Sequence, residues 1–376
     1  MPEMSSTFVK ASCKCGLNTF QIPFDTVKLP LTRSFCHCNS CRHITGQLMF
    51  QGAMFDGVPL TTDSTSSSRK PADLSNLKTY KGDGSLFTRY FCKACGAHIV
   101  GSAEIDSVAY WAVSTGALER VDGIVKAGSH TFVSDTLDGG LAEHYRIVDG
   151  VTLPRYTTKK NSATLHVGWS ADSIGKKVKA GGGQDHLAAY CHCKAISLRL
   201  TRVEEELTKD PMNWWAVAKK ADEATSLPKF MCGHCLCNSC RLTSGTIINS
   251  WVILPAVNVL NSYTGNPVTY SPGSSGRIAG LQLYESSPGV FREACGTCGA
   301  TIFLWYTKKG HYPMPIDGEP VVVCVSAGLI DQEDGGTRAE QWCHWHEEVI
   351  HPEDAIDKAG LEALKKGVKT APTQAD

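Results

Sequence analysis

The chain lacks two features that would assign it to common classes of protein. Its 37 Lys and Arg residues equal its 37 Asp and Glu residues, so the formal net charge is zero. A neutral total argues against a nucleic-acid binder with a basic surface, and we expect no nucleic-acid partner. Apolar runs are short, as at 321–325, whereas a membrane helix needs about 20 residues. We therefore expect no membrane partner.

Long helical periods are nearly absent as well. Short β-branched or aromatic runs bounded by Gly and Pro, such as TFQI, VAYWAV and VVVCV, predict strands instead. Helices are predicted only at 211–224 and after Pro352, where Ala355, Leu361 and Leu364 have helical spacing. The sequence therefore predicts a mainly β protein built from small antiparallel sheets.

Cysteine, in contrast, is abundant. The chain has 17 cysteines, and its first residues lack the apolar stretch of a secretory signal. From this we expect a soluble, cytoplasmic protein. Because a reducing compartment disfavours disulfides, so many cysteines indicate metal ligation or thiol chemistry.

The cysteines follow one order twice, which predicts a tandem repeat. Each series reads CxC, then CxCxxC, then CxxCG, and the central motifs CHCNSCR and CLCNSCR share flanking residues. A later block, AVSTGALE, recurs as CVSAGLID. We predict a first repeat at 8–158, a linker rich in Gly, Lys and Ser at 159–185, a second repeat at 186–352 and a helical tail at 353–376.

Seven cysteines in each repeat divide naturally into four and three. A CxxCG pair forms a zinc-knuckle turn and needs two further ligands, which the distant CxC pair can supply. The sequence therefore predicts one structural zinc in each repeat, although buried free thiols are the alternative. The ligands are Cys13, Cys15, Cys92 and Cys95 (the first quartet) and Cys191, Cys193, Cys295 and Cys298 (the second quartet).

The three remaining cysteines of each repeat lie close together in sequence. They are Cys36, Cys38 and Cys41 (the first triad) and Cys235, Cys237 and Cys240 (the second triad). Three protein ligands leave a position on zinc for an incoming thiol, which would be deprotonated on binding. Such a site suits a thiolate that attacks a carbonyl carbon, or the reverse cleavage of a carbon–sulfur bond. Arg42 and Arg241 follow the triads and either bind a substrate carboxylate or have a structural role.

These motifs resemble those of the glutathione-dependent formaldehyde-activating enzyme family, also called the centromere protein V/Gfa family. The resemblance covers most of both repeats. It implies a β-tent-like fold in each repeat, a structural zinc on the CxC and CxxC cysteines, and a catalytic zinc on the CxCxxC cysteines. It further implies carbon–sulfur lyase or synthase activity on glutathione adducts, with glutathione as substrate or co-substrate.

The two repeats differ at the triads, so their activities can differ. The first triad contains His37, as is common in the family, where the second contains Leu236. Cys232 lies close to the second triad, and a fourth sulfur there would close that site. His130 and His344 follow the AVSTGALE and CVSAGLID blocks at comparable places and either line the site or are structural. Trp251 either packs against a hydrophobic group of the substrate or lies in the hydrophobic core.

Two functions from different classes follow from the sequence. The first is a zinc-dependent carbon–sulfur lyase or synthase acting on glutathione or related thiol adducts, with the triads and the arginines Arg42 and Arg241 as site residues. The second is a zinc-stabilised protein-interaction module without catalysis. The identity of the electrophile and the oligomeric state stay open.

Overall fold

The computed structural model describes residues 6–62, 69–174, 185–219, 227–307 and 320–372. Most of the regular structure in these ranges is β-strand, which confirms the mainly β prediction. Among the described helices, none is long and apolar enough to span a membrane. The low-complexity stretch 61–70 lies mostly outside the described residues.

The strands of the first repeat form four sheets, and the largest has five strands in the order β4-β8-β7-β6-β5. Strands β1 and β2 form a hairpin that carries the CxC cysteines at its turn. The strands are β1 (Ser6–Ser12), β2 (Thr19–Asp25), β3 (Leu31–Cys36), β4 (Gly52–Phe55), β5 (Leu77–Tyr80), β6 (Thr88–Cys92), β7 (His98–Ile105), β8 (Val108–Ser114) and β9 (Val125–Thr131), followed by the short hairpin of β10 (Ile147–Val148) and β11 (Val151–Thr152).

The second repeat follows the same order of main strands and adds two short strands, β14 and β17, that have no counterpart strand among the described residues of the first. Its main sheet runs β14-β15-β16-β21-β20-β19-β18 with β22 paired to β15, so that β16-β21-β20-β19-β18 corresponds to β4-β8-β7-β6-β5. The strands are β12 (His186–Tyr190), β13 (Ser197–Thr201), β14 (Ala216–Val217), β15 (Lys229–Cys235), β16 (Asn249–Pro255), β17 (Val259–Asn261), β18 (Leu281–Ser287), β19 (Val290–Cys295), β20 (Thr301–Tyr306), β21 (Val322–Ser326) and β22 (Cys343–Trp345).

Two short helices and one longer helix complete the described α structure. Helix α1 (Asn39–Thr45) and helix α2 (Asn238–Ser244) begin inside the two triads, and each ends at a glycine in the left-handed conformation. Helix α3 (Lys358–Thr370) lies in the tail, where the spacing of apolar residues predicts it, and Asp357 caps its first turn.

The structure departs from the sequence prediction in two elements. Each strand that leads into a triad has a parallel partner, β9 for β3 and β22 for β15, although β15 also pairs antiparallel with β16. The helix predicted at 211–224 is not helical over 211–219, where Ala216–Val217 pairs with β15 instead. Sheet pairing therefore decides the conformation of this segment, and the rest of it lies outside the described residues.

The first part of the predicted linker packs on the first repeat. The Ala171 amide donates to the Leu137 carbonyl at 2.7 Å, and the Gly168 amide donates to the Glu143 carboxylate at 3.1 Å. Ile174 is 2% exposed. Residues 175–184 lie outside the described residues.

The two repeats pack on each other through their triad helices. A Cβ atom on Gly46, the residue that ends α1, would lie 2.1 Å from the carbonyl oxygen of Thr301. A Cβ atom on Gly245, which ends α2, would lie 2.1 Å from the carbonyl oxygen of His98. Each glycine therefore permits a backbone approach that no other residue allows. The matching contacts make the interface approximately twofold, like that between two subunits of a dimer.

Candidate metal centres

The structure brings together the four cysteines of each quartet. All four sulfurs of a quartet lie within 4.8 Å of one another, although the CxC pair and the CxxC pair are far apart in sequence. The hairpin of β1 and β2 carries one pair, and the turn between β6 and β7 carries the other. The second quartet has the equivalent placement on β12, β13, β19 and β20. Each quartet thus ties a hairpin to the main sheet of its repeat.

The spacing of the sulfurs fits a tetrahedral metal ion better than disulfides. The Cys13 and Cys15 sulfurs are 3.4 Å apart, and those of Cys193 and Cys295 are 3.5 Å apart. Tetrahedral zinc with Zn–S bonds of 2.3 Å places its sulfurs about 3.8 Å apart, whereas a disulfide requires about 2.05 Å. The described cysteines are all free thiols. The donor sets can therefore hold a metal ion.

Asn18 supports the first quartet from within the hairpin. Its backbone amide donates to the Cys13 sulfur at 3.4 Å, and its side-chain amide donates to the Cys92 sulfur at 3.2 Å. Amide donors stabilise the negative charge of thiolates. A hydrogen bond with Cys95 is the main cause that lowers the pKa of Cys15 to about 7.

Each triad is formed where a strand passes into a short helix. Cys36 ends β3, Cys38 is the N-cap of α1, and Cys41 lies in the first turn of the helix. The Cys41 amide donates to the Cys38 sulfur at 3.4 Å, as the Cys240 amide does to the Cys237 sulfur at 3.2 Å. The three sulfurs of each triad lie within 4.8 Å of one another. Each triad can therefore hold a metal ion with three protein ligands.

Each triad has an arginine partner that the sequence analysis missed. Arg89 on β6 donates to the Cys41 sulfur at 3.0 Å, and Arg292 on β19 donates to the Cys240 sulfur at 3.5 Å. Hydrogen bonds from Cys36 and Cys38, followed by the charge of Arg89, hold the pKa of Cys41 well below its usual value. A sequence signal existed, because an arginine stands three residues before the CxxC pair in both repeats.

Two aspartates also support the triads and were missed. The Asn39 amide donates to the Asp135 carboxylate at 3.2 Å, and the Asn238 amide donates to the Asp354 carboxylate at 2.9 Å. Burial raises the pKa of Asp135. Both carboxylates therefore fix the start of a triad helix from a segment that lies far away in sequence.

Arg42 and Arg241 lie in the interface between the repeats. Arg42 is fully buried and Arg241 is 6% exposed, and each guanidinium donates to two backbone carbonyls of the other repeat. The acceptors, at 2.8–3.1 Å, are Gly328 and Ile330 for Arg42, and Gly116 and Leu118 for Arg241. Of the two roles that the sequence left open for these arginines, the contacts support the structural one.

The other candidate residues lie apart from the sulfur clusters or have structural partners. Cys232 is fully buried on β15 and is not among the clustered sulfurs; its side chain hydrogen-bonds Cys343 instead. It does not close the second triad.

His130 and His344 do not occupy comparable places. His130 is buried, pairs with Phe35 across β3 and β9, and hydrogen-bonds His37 at 2.9 Å. His344 is exposed and pairs with Met231 on the far end of β15. The prediction that the two histidines occupy comparable places was wrong. The segments that lead from the AVSTGALE and CVSAGLID blocks to these histidines differ in length and path.

The comparisons with known proteins agree with the cluster geometry of the first repeat. Residues 8–135 match the model of the glutathione-dependent formaldehyde-activating enzyme family. The resemblance is thereby confirmed for the first repeat. No curated protein and no solved structure matches the chain. Duplication of the family's domain stays a prediction, because the family match does not extend to the second repeat.

Proposed function

We propose that the chain is a zinc-dependent carbon–sulfur lyase or synthase acting on glutathione or related thiol adducts. One observation carries the proposal: the repeat that matches the family contains both a partly exposed cluster of three cysteines and a separate cluster of four. Four thiolates complete the coordination of zinc, whereas three leave a position for a substrate. We infer one zinc site with four cysteine ligands and one with three in each repeat, about four zinc ions for the whole chain.

The chemistry of the open site follows from the charge of its ligands. When bound, zinc would supply a position at which the thiol of glutathione loses its proton and stays nucleophilic. Cys36, Cys38 and Cys41 would hold the ion, and Arg89 would offset part of their negative charge through its contact with Cys41. The site is partly exposed, so a thiol can approach it.

The proposed reaction forms or breaks one bond between carbon and sulfur. In the synthase direction, the sulfur attacks a carbonyl carbon, and the proton of the thiol ends on the carbonyl oxygen. In the lyase direction, the hydroxyl proton leaves, the carbonyl is restored and the sulfur departs as a thiolate. We place this reaction in the cytoplasm, where a reducing environment keeps cysteines available as ligands.

The test is an assay of adduct formation and cleavage with glutathione and formaldehyde. The double variant Cys38→Ser/Cys237→Ser removes one ligand from each triad and should lose turnover. Cys343→Ala is the matched control, because Cys343 is a buried cysteine outside all four clusters. Undiminished turnover in the double variant would refute the proposal.

Zinc content measured on the same samples distinguishes the catalytic from the non-catalytic function. The double variant should keep the two zinc ions of the quartets and lose those of the triads. A chain that shows no turnover, but captures a protein partner equally well without both triads, would be an interaction module.

A further inference from the structure

Each triad lies against the same face of equivalent strands, but the side chains on that face differ in size between the two repeats. In the first repeat, Arg89 on β6 pairs with Gly101 on β7, and Gly101 pairs with Ala112 on β8. In the second repeat, the same row reads Arg292, Leu304 and Cys324 on β19, β20 and β21. Because both rows contain the arginine that contacts a triad, they lie on the face that the triad covers. Beside the arginine, the first row has small side chains and the second row has larger ones.

A second matched row repeats this difference. Gly52 on β4 pairs with Ser114, whereas Trp251 on β16 pairs with Ser326 at the corresponding position. The Phe50 ring lies beside Gly52, 3.3 Å from its Cβ position, and stacks on Arg89. Trp251 is 2% exposed and Leu304 is 6% exposed, and both pack against Cys235 and Cys240 in one apolar cluster. The partly buried side chains around that cluster include Val290, Tyr306, Cys324 and Ile350. The second triad is therefore covered by side chains of its own repeat.

Two of the three matched pairs of triad cysteines differ in exposure in the same sense. All three cysteines of the first triad are partly exposed. In the second triad, Cys235 is 5% exposed and Cys240 is 2% exposed, whereas Cys237 is partly exposed like its counterpart Cys38. Arg292 is 5% exposed, so a buried cation offsets the thiolate charge that the cover removes from water. An incoming thiol that approaches from the face of the sheet meets Trp251 and Leu304.

We propose that the first triad is the only one of the two that admits a thiol substrate, and that the second triad is a closed metal site with a structural role. This inference rests on the proposed function and assigns it to one site. Gly101 and Ala112 leave the space in which a glutathione adduct is bound, beside the Phe50 ring that stacks on Arg89. Trp251, Leu304 and Cys324 fill the same space in the second repeat.

The experiment exchanges one residue of the matched row between the repeats. Gly101→Leu copies Leu304 into the first repeat, and Leu304→Gly opens the second. A Cβ atom at Gly101 meets the Thr88 carbonyl oxygen at 3.2 Å and the Phe87 ring at 3.7 Å, so the Cβ atom itself requires only a small shift. The readout is alkylation of each triad in the zinc-loaded protein by iodoacetamide, mapped by peptide mass spectrometry with and without glutathione.

We expect the first triad of the unmodified chain to be alkylated about tenfold faster than the second, since reaction at a buried site requires local opening. Glutathione should change the rate at the first triad only. Gly101→Leu should slow the first triad and reduce turnover, and Leu304→Gly should speed the second triad. The quartets, which should stay unreactive in every folded variant, are the internal control. The unmodified chain decides the inference even if a variant fails to fold.

Other results separate this inference from the proposed function. Equal alkylation rates, or an effect of glutathione on the second triad, would overturn the inference. Turnover that survives Cys38→Ser but is lost in the double variant would also overturn it and leave the proposed function intact. Undiminished turnover in the double variant would refute the proposed function, and the alkylation rates would still test the inference.

Discussion

Replacing Gly46 with alanine tests how the two repeats support each other's triad helix. Gly46 has a φ of 73°, and an L-residue in this conformation costs roughly 1–2 kcal/mol. The new Cβ atom would also lie 2.1 Å from the Thr301 carbonyl oxygen. Relief of this overlap requires a backbone shift in one repeat, and such overpacking costs about 1–3 kcal/mol. We expect Gly46→Ala to lower the free energy of unfolding by about 3 kcal/mol.

Gly265→Ala is the matched control for that prediction. Gly265 has the same φ of 73°, but nothing lies within 4 Å of its Cβ position. In this variant the free energy of unfolding should fall only by the cost of the left-handed conformation, about 1 kcal/mol. Urea unfolding of both variants with excess zinc, followed by tryptophan fluorescence, measures the difference. Equal losses would show that the contact between Gly46 and Thr301 does not hold the repeats together.

Three further predictions concern ionisable side chains. Arg42→Met should lower the free energy of unfolding by about 3 kcal/mol in urea titrations, because it leaves buried carbonyl acceptors unpaired. The control Arg120→Met, at an exposed position, should change it by less than about 0.5 kcal/mol. Equal effects of the two variants would contradict the interface role of Arg42. Arg89→Met should reduce turnover by about tenfold or more through loss of the contact with Cys41, and Arg292→Met, the matched change beside the covered triad, should reduce it less. Burial lowers the pKa of His234 to about 3, so below pH 6.5 the unfolded chain binds a proton that the folded chain excludes. Stability should therefore fall as pH decreases from 6.5 towards 3, by about 1.4 kcal/mol per pH unit for this residue, and urea unfolding of His234→Gln across this range should show a shallower slope.

The sequence predicted the cysteine clusters but not what surrounds them. Cysteine spacing is sufficient to group Cys13 with Cys92, because a metal ion requires several ligands and each motif supplies only two. Spacing alone could not show that Arg42 and Arg89 have different roles. Arg42 directly follows one cysteine motif and Arg89 stands three residues before another, so both are equally plausible partners of a triad. Only the fold shows that α1 turns Arg42 towards the other repeat, whereas β6 turns Arg89 towards the Cys41 sulfur.

The covered site in the second repeat was equally hidden from sequence comparison. Gly101 and Leu304 stand at the same distance from their CxxC pairs, so an alignment would pair them. The effect of that substitution depends on the face of the sheet, because alternate residues of a strand point to opposite sides. The contact between Arg89 and Cys41 identifies the face and gives the substitution its meaning.

The interface explains why a triad without substrate access would persist. Helix α2 begins in the second triad and carries both Arg241, which donates to carbonyls of the first repeat, and Gly245, which approaches His98. A metal ion on Cys237 and Cys240 would fix the first turn of this seven-residue helix, which is too short to be stable alone. Loss of the second triad would therefore loosen α2 and, through it, the first repeat that contains the open site. On this argument, removing zinc from the second triad alone should weaken zinc binding at the first, although the two sites do not share a ligand.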